Sequence, residues 1–253
     1  MKNPILAIAL ILGILFSFQV HAQKKGKTES SQPATTSKHQ DKGFDKQMKM
    51  GKIALKYQDP TPLKMAYYHA LATYPDSTNY LDSLAILYFS TGQYQQCILV
   101  SREVLSERPE NLPILEIKAV SEKTLGLAKM SLEDYEKLFP ATNNIQHLYQ
   151  IASLQFELKR LGECQNSIKG ILAREDLKDA KVTVFFGQGQ SQDVSMESAV
   201  YNMAGVILLE LNDPENAKSM FDKAIELEAD FVLAKNNRLL IDKQEEAAKN
   251  KKE

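Results

Sequence analysis

A thirty-four-residue interval recurs along this chain and restricts what it can fold into. Pro75 and Pro109 stand that far apart, as do Ala70 and Val104, and Leu138 follows after the same step. A fixed period of this length marks a supersecondary unit stacked on copies of itself, because one such unit cannot bury its apolar faces alone. The unit is clearest between Thr78 and Asn111. Leu81, Leu84, Ala85 and Tyr88 follow the i, i+3, i+4, i+7 spacing of a first helix, and Gly92 and Tyr94 mark a turn. Cys97, Ser101 and Val104 are the small or apolar contact positions of a second helix, which Pro109 ends.

Counted at this period, the chain divides into helical pairs at 44–77, 78–111, 112–145 and 146–181. The first pair carries Asp59-Pro60-Thr61-Pro62 at its turn in place of Gly, while Ala66, Tyr67, Ala70, Leu71 and Pro75 keep its second helix and stop. The third has Leu115, Ala119, Gly126, Tyr135 and Leu138 in place. In the fourth, Tyr149, Ala152 and Phe156 make the first helix, and Gly162 arrives late, which predicts a longer turn. An insertion at 182–197 then interrupts the array. Lys181 to Phe186 alternates like a short strand, and Gly187 to Gln192 is turn-like. The period resumes at 198–231, where Asp213-Pro214-Glu215 opens a helix carrying Ala217, Phe221 and Ala224. Residues 232–253 are a capping helix, with Leu233, Leu239, Leu240 and Ile241 inside and Lys, Asn, Arg and Glu outside, followed by a charged tail.

The N-terminus reads as export machinery. Lys2 precedes the uncharged run Ile5 to Phe18, and Val20-His21-Ala22 offers small residues at a cleavage site, so 1–22 is a signal peptide. Cleaved or retained, it puts the rest of the chain outside the cytoplasm, most simply in a periplasm and in reach of the outer membrane. No Cys follows the apolar run to take a lipid anchor, and no second segment has spanning length. Residues 23–43 are a flexible polar linker with nothing to bury. The net charge of −1 gives no global support for binding nucleic acid.

Leu84-Ala85, Tyr88, Gly92, Tyr94 and Pro109, with Ala217, Phe221 and Ala224 later, resemble the tetratricopeptide repeat (TPR) pattern over roughly residues 44–231. Cys97 and Ser131 replace the usual Ala of the second helix, and no unit has the first-helix Trp. The resemblance implies an all-α, right-handed superhelical solenoid, here with a short β-like insertion before the last repeat. It also implies an inner groove, lined by first helices, that takes peptides or other proteins. The groove positions are then Asn79, Asp82, Ile86 and Phe89; Glu116, Val120 and Lys123; His147, Gln150, Leu154 and Glu157; and Asn202, Val206 and Leu209. They lack the clustered Lys, Asn and Arg with which chaperone-binding members hold a C-terminal carboxylate, so an apolar or mixed peptide is expected.

The remaining candidates weigh towards structure. Cys97 and Cys164, separated by a whole repeat, are expected to be buried and unbridged. His69 and His147 have no partner at ligand spacing, Gly187-Gln188-Gly189 is a lone fragment of a dinucleotide fingerprint, and no catalytic signature occurs. No metal and no cofactor are expected. Val182, Val184, Phe185 and Phe186 each cost roughly 1.5–3 kcal/mol to leave in water; they fold back, pair with another strand, or meet a partner. The chain therefore reads as a non-catalytic binding module and scaffold of the cell envelope, its partners being envelope proteins or peptides. The alternative is an accessory subunit of an outer-membrane assembly or secretion complex.

Overall fold

Each helix pair is closed by one residue in the left-handed conformation. Gln58, Gly92, Gly126, Lys159 and Asn212 hold φ between +59° and +73°. At four of these turns the next residue donates its amide to a carbonyl five positions back: Asp59 to Ala54 (3.1 Å), Gln93 to Tyr88 (2.8 Å), Arg160 to Gln155 (2.8 Å) and Asp213 to Leu208 (2.9 Å). This is the Schellman ending, which satisfies helix-end carbonyls and turns the chain back on itself. The computed structural model describes residues 42–74, 79–187 and 189–250. The segments read from sequence as a signal peptide and, to residue 41, as a linker, and the stop expected at Pro75, lie outside the described residues.

The described residues fall into two compact units, divided between Leu125 and Gly126. The first holds α1 (Lys42–Lys56), α2 (Thr61–Thr73), α3 (Asn79–Ser90), α4 (Tyr94–Glu107) and α5 (Leu112–Thr124). Consecutive helices pack together, and α3 also meets α5. Leu84, Ala85, Tyr88, Cys97, Val104, Ile114 and Ile117 form the core. At the α1–α2 crossing Gly51 brings backbones together: a Cβ there would lie 2.5 Å from Leu63 Cα. The Tyr68 and Tyr88 hydroxyls share a hydrogen bond between α2 and α3. Lys42 and Gly43 are already helical, so α1 begins inside the segment read from sequence as linker.

The second unit holds α6 (Ala128–Thr142), α7 (Ile145–Glu157), α8 (Leu161–Leu172), a 3-10 turn (Glu175–Asp179), β1 (Lys181–Phe186), β2 (Gln190–Ser195), α9 (Met196–Glu210), α10 (Pro214–Leu227) and α11 (Val232–Asn250). The expected long turn after α7 does not occur. Only Leu158–Arg160 separate α7 from α8, and Gly162 lies inside α8, because Lys159 takes the left-handed position itself.

Gln190 to Gln192, read from sequence as turn, belong to β2. The two strands form an antiparallel hairpin with Val182 opposite Val194 and Phe186 opposite Gln190. Val182, Val184 and Val194 join the core that α7, α8, α9, α10 and α11 build. Gln192 fixes the hairpin to the α10–α11 turn: its Nε2 donates to Asp230 O (3.1 Å) and its Oε1 accepts from Val232 N (3.0 Å). Asp213 caps α10 by accepting from Asn216 N at 3.2 Å.

The capping helix α11 differs from its sequence reading in two places. Leu239, expected inside, is 50% exposed, and Asn237, expected outside, is buried at 6%. The inward row is Ala234, Asn237 and Ile241, at three- and four-residue steps from Phe231. The helix also runs on to Asn250, through much of the segment read as tail.

Candidate functional site

The residues expected to line a groove divide by helix. On α3, Asn79 is exposed, Ile86 is 52% exposed, and Phe89 is half-buried with its ring 6.0 Å from that of Tyr94. On α5, Glu116, Val120 and Lys123 are half-buried. Steps of three and four residues place each set along one helical face, and α3 packs on α5. This unit therefore offers a row of apolar side chains between polar ones.

Asp82 does another job. Its carboxylate accepts from Arg108 Nη1 (2.9 Å) and Asn111 Nδ2 (3.2 Å), tying α3 to the turn between α4 and α5. That hydrogen bond holds the Arg108 guanidinium above its usual pKa. Asp82 is thus committed to joining neighbouring repeats.

The candidates on α7 and α9 require correction. Gln150 (2% exposed), Leu154 (0%), Asn202 (4%) and Val206 (1%) are buried, so no partner reaches them without opening the fold. The reason on α7 is that the helix is buried almost all round, with every residue from Tyr149 to Phe156 inside. On α9, Asn202 Oδ1 accepts from Asn237 Nδ2 of α11 at 2.9 Å. Asn202 and Val206 line a small pocket with Tyr149, Phe156, Val184 and Leu233. Burial pushes the Tyr149 hydroxyl far up from its usual pKa.

The insertion divides likewise. Val182 and Val184 are core, whereas Phe185 and Phe186 are half-buried, Phe185 also lining that pocket. Both cysteines are free and buried. Cys164 donates to Ala152 O at 3.1 Å, and burial pushes its thiol up to about 12. His147 is buried, with Nδ1 2.8 Å from Thr142 Oγ1. Among the described residues, no group of three or more His, Cys, Asp and Glu is placed to hold a metal ion. No described helix is long and apolar enough to cross a membrane.

One feature escaped the sequence reading. Met50, Ile53 and Tyr57 of the α1 segment and Met65 of α2 are 55%, 55%, 80% and 59% exposed. The signal was present, since α1 carries apolar residues at Phe44 and Met48 on one face and at Met50 and Ile53 on the other.

Repeated helix pairs closed by left-handed turns, presenting apolar and polar side chains along first-helix faces, define a helical-repeat protein-interaction module. Residues 198–231 match the family model of the tetratricopeptide repeat, and the chain has the TPR fold. Similar solved structures include YrrB, described as a TPR protein with an unusual peptide-binding site, at TM-score 0.58 and 15% identity over 77% of this chain and 97% of that one. Another is MamA, residues 41 to the end, from Desulfovibrio magneticus RS-1, at TM-score 0.56 and 14% identity over 76% of this chain and 98% of that one. At these identities the likeness is one of fold. No curated protein sequence matches closely enough to show a relationship.

Proposed function

We propose that this chain is an exported, non-catalytic adaptor of the cell envelope that binds an extended peptide or protein segment along α3 and α5. The exposure of Ile86, 52% for a large aliphatic side chain on a first helix, carries the reading. Covering the half of that side chain still open is worth about 1 kcal/mol, and Phe89 and Val120 extend the apolar row. Asn79, Glu116 and Lys123 supply polar contacts at its margins. The burial of Gln150, Leu154, Asn202 and Val206 confines the proposed contact to residues 79–123. That YrrB, of the same fold, is described as having an unusual peptide-binding site supports a peptide as the ligand class. The run Ile5 to Phe18 and the small residues before Gln23 support export.

The test pairs two measurements. Ile86→Glu with Phe89→Glu should abolish capture of envelope proteins by the tagged chain while its helical CD spectrum persists; unchanged capture rejects the α3–α5 site. A C-terminal alkaline phosphatase fusion, active only outside the cytoplasm, should be active with residues 1–22 and inactive without them. An inactive full-length fusion rejects export.

A further inference from the structure

The first helix of the array has two dissimilar faces. Gly51 is buried against α2, and Phe44 sets its ring 5.6 Å from Tyr80. Opposite them, Lys46, Met50 and Ile53 follow one another at steps of four and three residues, so they share one outward row, and Tyr57 follows in the turn just past the helix. Met50 and Ile53 are each 55% exposed and Tyr57 is 80% exposed. Lys49 and Lys56 flank the row and Lys52 stands further round; all these lysines are exposed. The acid of this helix is Asp45, half-buried in its first turn. An array of repeats needs a polar outer face at its ends to stay dispersed, and this end instead offers apolar side chains set among cations.

We infer that the outward face of α1 docks on an anionic phospholipid bilayer. The chemistry is that of an in-plane amphipathic helix: apolar side chains enter the headgroup–acyl boundary while lysines stay among the phosphates. Tyr57 ends the row with the amphipathic ring favoured at that boundary. Unbranched Met and Lys side chains adapt to a fluid surface. Charge selects the occupant. A second copy packed through this row would face Lys46, Lys49 and Lys56 with their own counterparts, whereas anionic headgroups neutralise them. The sequence just before α1 has the same sign, with Lys24, Lys25, Lys27 and Lys38 against Glu29 and Asp41. The protein as a whole carries −1, so the positive charge is local.

The chain from Gln23 onward keeps every described element and removes the apolar run that could itself insert. It should co-sediment with vesicles of phosphatidylcholine and phosphatidylglycerol, with partition falling more than about tenfold in pure phosphatidylcholine or in high salt. Met50→Ser with Ile53→Ser should weaken partition comparably, and Lys46→Gln, Lys49→Gln and Lys56→Gln together should remove its salt dependence. All five positions face outward, so helical CD should not change. Equal sedimentation with both vesicle types overturns the inference. So does binding abolished by replacing Lys24, Lys25 and Lys27 but untouched by the α1 changes. Failure to bind vesicles also overturns it. In that case, an Ile53-dependent dimer by light scattering assigns the face to a second copy, and salt-sensitive binding of polyglutamate assigns it to an acidic protein. None of these outcomes bears on α3 and α5, whose peptide-binding proposal stands or falls separately.

Discussion

The five turn residues, Gln58, Gly92, Gly126, Lys159 and Asn212, show how much one backbone angle decides in an array of helix pairs. Gly92 adopts φ +70° at no steric cost, and a Cβ added there meets nothing within 4 Å. The cost of Gly92→Ala is therefore conformational, about 1–2 kcal/mol less roughly 0.5–1 kcal/mol regained in chain entropy. Gln58 already bears that strain at φ +62°. Gln58→Gly should relieve it, less about 0.5–1 kcal/mol of added chain entropy, for a gain of up to about 1.5 kcal/mol. Urea midpoints should move in opposite directions for the two variants with the slope unchanged; a shift in the same direction would contradict this account of the turns. Gly92 and Gly126 made their turns readable in the sequence. Lys159 did not, because a lysine at φ +59° is imposed by helix-end hydrogen bonding and leaves no compositional mark. Gly162 consequently drew the fourth turn to the wrong place.

Among the elements, periodicity carried most of what could be read. Helical spacing and the thirty-four-residue step led to the TPR fold, and the alternation at Lys181 to Phe186 led to a strand. Which helix faces stay open was not readable, because other elements decide it. Asn202 and Val206 occupy positions expected to face a groove, yet the hairpin and α11 enclose them. Close helix approach is likewise set between elements. At Gly205 of α9 an added Cβ would fall 2.5 Å from the Phe221 ring of α10. Gly205→Ala should thus cost about 1–3 kcal/mol by overpacking. Adding Phe221→Leu should recover part of that loss, since the two positions share one contact. Thermal denaturation of the single and double variants measures this coupling, and strictly additive losses would place the strain elsewhere.

At the scale of the whole molecule, the two ends of the array are built differently. The first helix leaves Met50 and Ile53 uncovered, and the turn after it leaves Tyr57 so. At the other end Phe231, just before α11, and Ala234 and Ile241 of the helix enter the core, and α11 gives Asn202 its partner in Asn237. Gln192 of the hairpin also depends on the backbone at Asp230 and Val232. A chain ending at Asp230 would lose the burial of Phe231 and Ile241, together roughly 3–6 kcal/mol. It would also leave Asn202 without that partner. Against a usual margin of 5–15 kcal/mol, the loss should lower the melting temperature of residues 126–230, expose apolar surface to the dye ANS and weaken the hairpin. A chain ending at Gln244 keeps Phe231 to Ile241 and, among the described residues, gives up contacts such as that of Glu245 with Lys218 (3.4 Å). It should melt like the full chain. If the shorter chain also melts unchanged and binds no dye, α11 is not the cap that its buried row indicates.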